Sequence, residues 1–433
     1  MLARSGTDLV TVAAVRLASL AGLLRSIPPE SGTVVVRDGS DVVVTTRPSE
    51  VVVTDGPAAF AELDRIEGAG GWWAGYLAYD LGRSIEPVRP LAADDRSLPD
   101  LVFARFDARL VIHPDGSTEL VGDGDGRDEL TRALWHAQRP MNARRPRARS
   151  WSSSIDRAAH AAAQRQIHDQ LDAGNCYQVN LTRRLTHDRA VDPVSLFAAL
   201  DAQNPSPHAC MLRFGTRGPA VAIVGASPEL FLRVDGSALT TRPIKGTHRE
   251  ADVLARSPKD AAEHVMIVDL ARNDLGRVCV PGSVRVRELM AVESHPGLHH
   301  LVSTVVGDRR ADVGLGTAVR ALFPAASITG APKPRVMQII EDLEPIRRGV
   351  YCGATGWIDA TNPATLRCEL AVAIRTFTIT ARHTDLGVGG GIVADSVDAD
   401  EWNETELKAH RLLAAAGAEP GASNRSSANP RHP

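Results

Sequence analysis

Three runs of three consecutive valines constrain the fold of this chain more than any other feature of its sequence. They occupy residues 34–36, 42–44 and 51–53, and Asp-Gly and Pro-Ser pairs, which favour turns, separate them. Because β-branched side chains pack well in extended strands, each run predicts a strand. The glycine-flanked segment 71–77 and the alternating segment 101–112 each predict one more strand. The first part of the chain is therefore expected to form a β-sheet.

The composition supports a large folded core and argues against several classes of protein. The chain has 433 residues, of which 43% are hydrophobic and 23% are charged. Its net charge is -3, and it has no basic stripe with interleaved aromatic residues, so no nucleic-acid partner is expected. The apolar segment 9–24 is short and contains Arg16, so it predicts an amphipathic helix and no membrane span.

The spacing of the cysteines and two biased segments suggest the compartment and the organisation of the chain. Five cysteines are widely spaced without a Cys-x-x-Cys pair, so neither a zinc site nor a disulfide framework is expected, and a cytoplasmic location fits. Residues 140–154 are rich in Arg, Pro and Ser and predict a connection between the N-terminal part, 1–145, and a second region, 150–415. The polar tail 419–433 is predicted to be disordered.

Polar side chains in the second region lie on one face or at the ends of predicted strands. The segment 177–182 alternates, which places Gln178 and Asn180 on the same face. That face points either into a polar space or along a half-exposed sheet edge. Glu229 precedes the strand-like run 230–234, and a carboxylate at the mouth of a strand is either functional or simply solvated.

A lysine stands between a proline and a glycine in residues 243–247, which read PIKGT. Proline fixes its own φ and glycine permits left-handed backbone, so Lys245 is expected on a shaped loop. A lysine in such a loop is either a solvated surface charge or a nucleophile. The loop by itself does not decide between these two roles.

Three helices have recognisable beginnings. Ser154 is expected to cap a helix that runs to about residue 173, Ser257 followed by Pro258 opens a second helix, and Asp398 is expected to cap a third. Serine and aspartate side chains can accept a hydrogen bond from a backbone N–H group of the first helical turn. Proline suits the first helical position because its φ is already helical.

Two of these helices begin with a pair of carboxylates spaced one turn apart. The pairs are Asp260 with Glu263, and Glu401 with Glu404, and Lys408 follows on the face of the second pair. Acidic residues in a first turn complement the helix dipole and need no other role. If the two helix starts face each other, however, the four carboxylates form an oxygen-only site of the kind that suits Mg²⁺.

Three further segments could contact an anion. Residues 323–333 are small and predict a turn before a helix. This turn either binds an anion at the beginning of the helix or has only a structural role. Strand alternation places Arg375 on an otherwise apolar face, where an arginine usually meets a carboxylate. The glycine-rich run 387–391 lacks the GxGxxG spacing of a dinucleotide site, but its bare N–H groups could hold a carboxylate.

Taken together, the ordered motifs resemble those of the chorismate-utilising enzymes. The match is dense over about residues 150–415 and extends weakly to residues 71–77. The motifs are SPE at 227–229, PIKGT at 243–247, EHVMIVDLARNDLG at 263–276, TGAPK at 329–333, IRT at 374–376 and GGGIVADS at 389–396. The resemblance implies an α/β (α+β) fold of the anthranilate synthase component I type, with two stacked β-sheets and helices on the outside.

The resemblance also implies roles for individual residues. Mg²⁺ would be held by Glu263 and Glu404, with Glu401 and Asp260 supporting it through water, although the family commonly has glutamate where this chain has Asp260. Glu229 matches the general acid, Lys245 the nucleophile and His300 a histidine that lines the same pocket. Chorismate would be contacted by Gln178, Gly246, Thr247, Thr329, Tyr351, Arg375, Gly389, Gly390, Gly391 and Lys408.

Two positions suggest the branch of the family. Isochorismate-forming members carry a lysine where this chain has Gln178, and anthranilate synthases usually read PIAGT where this chain reads PIKGT. The PIKGT motif resembles that of the aminodeoxychorismate synthase component I branch. Members of that branch aminate chorismate to 4-amino-4-deoxychorismate in para-aminobenzoate and folate biosynthesis. Anthranilate synthase component I is the first alternative, and a non-catalytic chorismate-binding regulatory relative is the second.

No glutaminase is recognisable in the chain, because no cysteine stands in a nucleophile-elbow context and no spare domain of suitable length exists. A separate glutamine amidotransferase subunit is therefore the expected source of ammonia.

Overall fold

The structure, a computed structural model, describes residues 19–137, 146–148, 150–248, 250–295, 298–362, 365–418 and 425–426. The predictions for residues 9–18, for 138–145 and for most of the tail 419–433 lie outside the described residues. No helix among the described residues is both long enough and apolar enough to cross a membrane.

The helices of the described residues vary from one turn to five. They are α1 (Leu20–Ser26), α2 (Ala58–Ala69), α3 (Asp125–His136), α4 (Arg157–Asp172), α5 (Pro193–Gln203), α6 (Ala251–Ala255), α7 (Pro258–Gly276), α8 (Leu315–Leu322), α9 (Lys333–Leu343) and α10 (Asp398–Ala415).

The strands include each of the three valine runs. They are β1 (Thr33–Asp38), β2 (Asp41–Thr45), β3 (Glu50–Thr54), β4 (Trp72–Leu77), β5 (Leu101–Phe106), β6 (Ala108–Ile112), β7 (Thr118–Gly122), β8 (Ser152–Ser153), β9 (Gln178–His187), β10 (His208–Arg213), β11 (Ala222–Ser227), β12 (Leu230–Asp235), β13 (Ala238–Arg242), β14 (Ile244–His248), β15 (Arg285–His295), β16 (Leu298–Asp308), β17 (Gly330–Ala331), β18 (Ala354–Asp359), β19 (Arg367–Val372), β20 (Thr376–Ile379), β21 (Thr384–Ile392) and β22 (Arg425–Ser426).

These strands form two sheets whose pairings are antiparallel except for that of β22 with β8. Sheet I has the order β22-β8-β9-β21-β20-β11-β10-β1-β2-β6-β7, with β17 beside β9. Sheet II has the order β14-β16-β13-β12-β19-β18-β4-β5-β3, with β15 beside β16. Strands from the first part of the chain therefore lie in both sheets, next to strands from the second region.

The two sheets pack face to face, and helices cover their outer faces. Val34 and Val36 of sheet I meet Trp72 and Tyr76 of sheet II in one apolar cluster, whereas Val35 points to the opposite face. That outer face of sheet I packs against α1, α3, α5 and α10, and the outer face of sheet II packs against α2, α7 and α8. Because both faces of β1 are buried, its sequence is a continuous apolar run instead of an alternating one. The predicted fold of two stacked sheets with outer helices is confirmed.

Two of the predicted single strands are each two strands in different sheets. The segment 101–112 breaks at Asp107 into β5 of sheet II and β6 of sheet I. The strand predicted around Arg375, residues 369–380, likewise breaks between β19 of sheet II and β20 of sheet I, and Arg375 lies in the break with a left-handed φ of 51°. Residue alternation continues through both breaks, so it could not reveal that the chain passes from one sheet to the other.

Two helix caps also differ from the predictions by one or two residues. The cap of α4 is Asp156, whose side chain accepts a hydrogen bond from Ala159 N, and not Ser154. The cap of α10 is Val397, so Asp398 is the first residue of the helix. The prediction for α7 was correct, because Ser257 Oγ accepts a 3.2 Å hydrogen bond from Asp260 N.

Candidate active site

Lys245 lies in a pocket formed by strands of both sheets and the beginning of α7. Its Nζ is 3.2 Å from Gln178 Oε1 on β9 and 3.9 Å from Glu263 Oε2 on α7. Only 12% of its side chain is exposed, so it is not a solvated surface lysine. The predicted loop is part of strand β14, and its pairing register with β16 shifts between Lys245 and Thr247. Gly246, between them, has a left-handed φ of 71°, which glycine adopts without strain.

Glu229 is buried at the beginning of β12 and is held by a serine. Ser327 Oγ donates a 2.5 Å hydrogen bond to Glu229 Oε1. Burial raises the pKa of Glu229 to about 7, against the opposing effects of the Ser327 hydrogen bond, the Lys245 charge, the backbone N–H of Ile244 and the Arg375 charge. A carboxyl group with this pKa holds its proton in a large fraction of molecules at neutral pH.

Burial has the opposite effect on the amine of Lys245. It lowers the pKa of Lys245, and the nearby charge of Lys408 lowers it further, whereas Glu263, Glu229 and Glu404 raise it. Burial therefore shifts both groups in the direction of their neutral forms, the protonated carboxyl at Glu229 and the free amine at Lys245. These are the forms that a general acid and a nucleophile require.

Arg375 and His300 lie together beside this pair. The guanidinium Nη2 of Arg375 is 3.4 Å from Nε2 of His300. His300 is buried on β16, opposite Thr247 of β14 in the strand register. Burial lowers the pKa of Arg375. The left-handed backbone at Arg375 ends one strand and redirects its side chain, which is why strand alternation did not describe its position.

The predicted carboxylates lie on α7 and α10, and both helices contribute to the electrostatic environment of Lys245. Glu404 Oε1 is 2.6 Å from Lys408 Nζ, and Lys408 Nζ also donates a 2.9 Å hydrogen bond to Gly389 O. Glu401 Oε1 accepts a 2.6 Å hydrogen bond from Ser396 Oγ. A β-carbon at Gly246 would lie 3.1 Å from Asp260 Oδ1. The described residues contain no ready cluster of three or more His, Cys, Asp or Glu side chains for a metal ion.

The chemistry of these carboxylates nevertheless fits a hard cation. The four side chains offer only oxygen atoms, and Mg²⁺ typically takes one or two protein carboxylates and completes its shell with water or substrate oxygens. Glu263 and Glu404 both act on the charge of Lys245, although they belong to different helices. Both carboxylates therefore lie near the same amine.

The glycines of β21 leave space for these side chains. A β-carbon at Gly391 would lie 2.7 Å from Gln178 Nε2 and 3.1 Å from Lys245 Nζ. A β-carbon at Gly390 would lie 3.2 Å from Glu401 Oε2, and one at Gly389 would lie 2.5 Å from Leu181 O. The bare strand thus passes between the lysine pocket and the carboxylates of α10.

Tyr351 and Thr329 complete the predicted set. The ring of Tyr351 packs on Gly387 so closely that a β-carbon at Gly387 would lie 2.2 Å from the nearest ring atoms. Burial raises the pKa of Tyr351. Tyr351 and Gly387 line a cavity of about 40 Å³ whose other walls include Thr182 and Arg348. Thr329 is buried, and its backbone carbonyl accepts a 2.8 Å hydrogen bond from Asn180 N on β9. Lys408 and its partner Glu404 lie nearer the surface, with 46% and 48% of their side chains exposed.

Two serines that contact the predicted site residues were not predicted from the sequence. Ser327 donates to Glu229, and Ser396 donates to Glu401. Both lie inside segments that the sequence had singled out, 323–333 and 389–396. Their hydroxyl groups next to small residues were the available signal, but the partner of each was not evident.

Comparisons with known proteins place this arrangement in context. A family described as chorismate binding enzyme matches residues 31–414. Aminodeoxychorismate synthase component 1 of Salmonella typhimurium is 38% identical, with coverage of 78% of this chain and 75% of the relative. The Escherichia coli protein of the same name is 36% identical, with coverage of 87% and 86%. Anthranilate synthase component 1 of Thermus thermophilus is 39% identical, with coverage of 80% and 77%.

Solved structures show the same architecture. Anthranilate synthase component I from Streptococcus pneumoniae superposes with a TM-score of 0.74 at 25% sequence identity, covering 89% of this chain and 92% of that one. The menaquinone-specific isochorismate synthase from Escherichia coli superposes with a TM-score of 0.73 at 17% identity, covering 92% and 91%, which shows the shared fold alone.

Proposed function

The chain belongs to the chorismate-binding enzymes, and we propose that it aminates chorismate to 4-amino-4-deoxychorismate, the precursor of para-aminobenzoate in folate biosynthesis. The observation that carries this proposal is the placement of Lys245 and Glu229 in one pocket, where Lys245 Nζ lies 3.2 Å from Gln178 Oε1 and Glu229 is buried. Burial lowers the pKa of Lys245 and raises that of Glu229, as a nucleophile and a general acid require. The relatives named aminodeoxychorismate synthase component 1 support it.

Binding of chorismate is assigned to the side chains and backbone around this pocket. Arg375, Tyr351 and Lys408 supply donors for the two carboxylates, together with the backbone of Gly389, Gly390 and Gly391. Gly246, Thr247 and Thr329 contact the ring and its substituents, and His300 lines the pocket beside Arg375. Fixing the ring in this way can remove several kcal/mol from the barrier, of the order seen for well-oriented reactants.

Glu263 and Glu404 would hold a Mg²⁺ ion, with Glu401 and Asp260 supporting it through water. The ion would neutralise a substrate carboxylate and fix its orientation.

The reaction itself uses Lys245 and Glu229. Glu229 gives its proton to the C4 hydroxyl, which leaves as water, while the free amine of Lys245 attacks C2 and the ring double bonds shift. Ammonia then attacks C4 with the reverse shift, expels Lys245 from C2 as the free amine, and loses a proton that restores Glu229. The net reaction consumes chorismate and ammonia and releases water. Gln178 Oε1, 3.2 Å from Lys245 Nζ, orients the amine for this attack.

The relatives named component 1 point to an assembly with a second component. A glutamine amidotransferase subunit that releases ammonia fits this role, because the proposed reaction needs ammonia and the sequence contains no recognisable glutaminase. A cytoplasmic location is proposed with it, since all five cysteines are free thiols.

Replacing Lys245 with alanine tests the proposed nucleophile. With chorismate, Mg²⁺ and ammonium, K245A is expected to lose 4-amino-4-deoxychorismate production, because no amine remains to attack C2. The products are identified by chromatography with mass spectrometry. K245R is the matched variant: it keeps a long basic side chain, but its guanidinium stays protonated and cannot attack C2, so it should be equally inactive.

The outcomes separate the candidate functions. Unchanged amination by K245A would remove the nucleophile role. Anthranilate as the product of the wild-type chain would establish the first alternative, which is supported by the similarity to anthranilate synthase component 1. A wild-type chain that binds chorismate but releases no product, even with an amidotransferase partner, would establish the regulatory alternative.

A further inference from the structure

The beginning of α10 is held by a serine that the proposed reaction does not use. Ser396 Oγ donates a 2.6 Å hydrogen bond to Glu401 Oε1 and accepts a 3.1 Å hydrogen bond from Val393 N. Both side chains of the Ser396–Glu401 pair are buried. Since the backbone N–H engages the hydroxyl oxygen, the single hydroxyl proton is directed at the carboxylate, which limits the carboxylate to one orientation.

Helix α4 anchors the serine in turn. The carbonyl oxygen of Ser396 is 3.3 Å from Gln164 Nε2 and 3.1 Å from His168 Nε2, and these two residues lie one turn apart on α4. Ser396 N also donates a 3.0 Å hydrogen bond to Val393 O, which closes a tight turn before α10. Hydrogen bonds at both the N–H and the carbonyl group of Ser396 therefore fix the position of its hydroxyl group.

The second oxygen of Glu401 faces the same bare backbone as Glu404. A β-carbon at Gly390 would lie 3.2 Å from Glu401 Oε2 and 3.7 Å from Glu404 Oε1. Glu404 also acts on the charge of Lys245 in the reaction pocket. Holding one oxygen of Glu401 at Ser396 thus directs the other oxygen towards the side of α10 that faces the pocket.

We propose that Ser396 is a positioning residue that sets the affinity of the site for a divalent cation by fixing the carboxylate of Glu401. The inference rests on the proposed Mg²⁺ site. Groups that order the outer shell of a metal site change metal affinity by about 10–100-fold when they are removed. Glu401 is such a group, because it would support the ion through water, and Ser396 holds its carboxylate in place.

The test compares two buried serine–glutamate pairs in the same chain. Ser31 Oγ donates a 3.0 Å hydrogen bond to Glu129 Oε1, and both residues are buried, far along sheet I from β21. S31A therefore removes a similar hydrogen bond without touching α10. The full-length wild type, S396A, S396T, S396C and S31A are titrated with Mg²⁺ by calorimetry and with Mn²⁺ by electron paramagnetic resonance, without ammonium, with and without chorismate. Thermal unfolding is recorded for each.

S396A and S396C are expected to bind both cations about 10–100-fold more weakly, S396T to stay near the wild type because it keeps the hydroxyl, and S31A to bind normally. If S396A does not fold, the nearly isosteric S396C carries the test. Wild-type cation affinity in folded S396A and S396C would overturn this inference and leave the proposed function standing. Weakening of cation binding in S31A to the same extent as in S396A would also overturn it. A wild-type chain that binds neither cation would overturn both the inference and the proposed cofactor.

Discussion

The hydroxyl group of Ser327 limits how far burial raises the pKa of Glu229. Burial is the main cause of the raised pKa of Glu229, about 7, and the Ser327 hydrogen bond is the largest of the effects that oppose it. Lys245, the Ile244 N–H and Arg375 also favour the ionised carboxylate, to smaller extents. A general acid must carry its proton, so activity that depends on Glu229 is expected below its pKa and is lost as the pH rises through about 7.

Replacing Ser327 with alanine should move this pH limit upwards. The variant lacks the donor that stabilises the ionised carboxylate, so the pKa of Glu229 rises further and the alkaline limb of kcat/KM shifts to higher pH. The profile is measured with chorismate at a fixed concentration of free ammonia. E229Q cannot titrate, so its profile should lack the alkaline limb. Its rate should be lower by about 10²–10⁴-fold, because the general acid is missing. A limb that stays in place in S327A would contradict the assigned role of this hydrogen bond.

At the scale of residues, the sequence identified the reacting groups better than the groups that hold them. Lys245 and Glu229 stand inside short motifs whose local order carries information. Ser327 lies 98 residues from Glu229 along the chain, so only the tertiary fold brings the two together. The same holds for Gln164 and His168, which reach Ser396 across more than 200 residues. Contacts of this range leave no periodic or spacing signal in one sequence.

Among the elements, β21 has a composition that its neighbours restrict. Its pairing with β9 places Gly389 opposite Thr182 and Gly391 opposite Asn180, and aromatic, amide and carboxylate groups crowd both of its faces. Glycine in a strand interior weakens the strand in isolation, because it packs nothing and loses more backbone freedom. Here the missing side chains make room for Tyr351, Gln178 and Lys245.

Replacing Gly387 with alanine should destabilise the chain through overpacking. The new β-carbon would lie 2.2 Å from the ring of Tyr351, so the ring has to move, and the free energy of unfolding is expected to fall by about 1–3 kcal/mol. Urea unfolding measures the change. G68A on α2 is the control, because a β-carbon there meets nothing within 4 Å, and it should stabilise the helix by up to about 1 kcal/mol. Equal stability of G387A and the wild type would show that Tyr351 is not held against β21.

The elements that sequence patterns predicted well are those whose pattern has one physical cause. The valine runs of β1 and β2 became strands with both faces buried, whereas β3 is an edge strand whose Val53 is 48% exposed. The beginning of α7 was predicted because the cap at Ser257 is a local interaction. The patterns failed at Asp107 and at Arg375, where a strand ends in one sheet and the next begins in the other. Such a crossing is decided by how the two sheets stack, and the backbone angle of Arg375 follows from it.

For the whole molecule, the main constraint is that both sheets draw strands from distant parts of the chain. β1 pairs with β10 in sheet I, and β4 pairs with β18 in sheet II. The outer face of sheet I is completed by α10, whose Leu412 and Leu413 are buried in its core together with Leu23 and Leu24 of α1. The candidate site lies where these late elements meet β9 and β14.

Ending the chain after residue 397 should therefore prevent folding of the whole molecule. The truncation removes α10 and uncovers the apolar face of sheet I, so no cooperative thermal transition is expected by circular dichroism, and the product should aggregate. Ending the chain after residue 418 keeps α10 and should preserve a transition close to that of the full chain. A cooperative transition in the shorter product would show that sheet I is stable without its last helix.

The pairing of β9 with β21 also has a consequence for synthesis on the ribosome. Residues 384–392 fill the gap between β9 and β20, so sheet I stays open along two edges until nearly the whole chain has emerged. An open edge offers unpaired N–H and C=O groups to any other nascent chain. The emerging polypeptide therefore has to be kept from such encounters, by chaperones or by dilution, for most of its translation time.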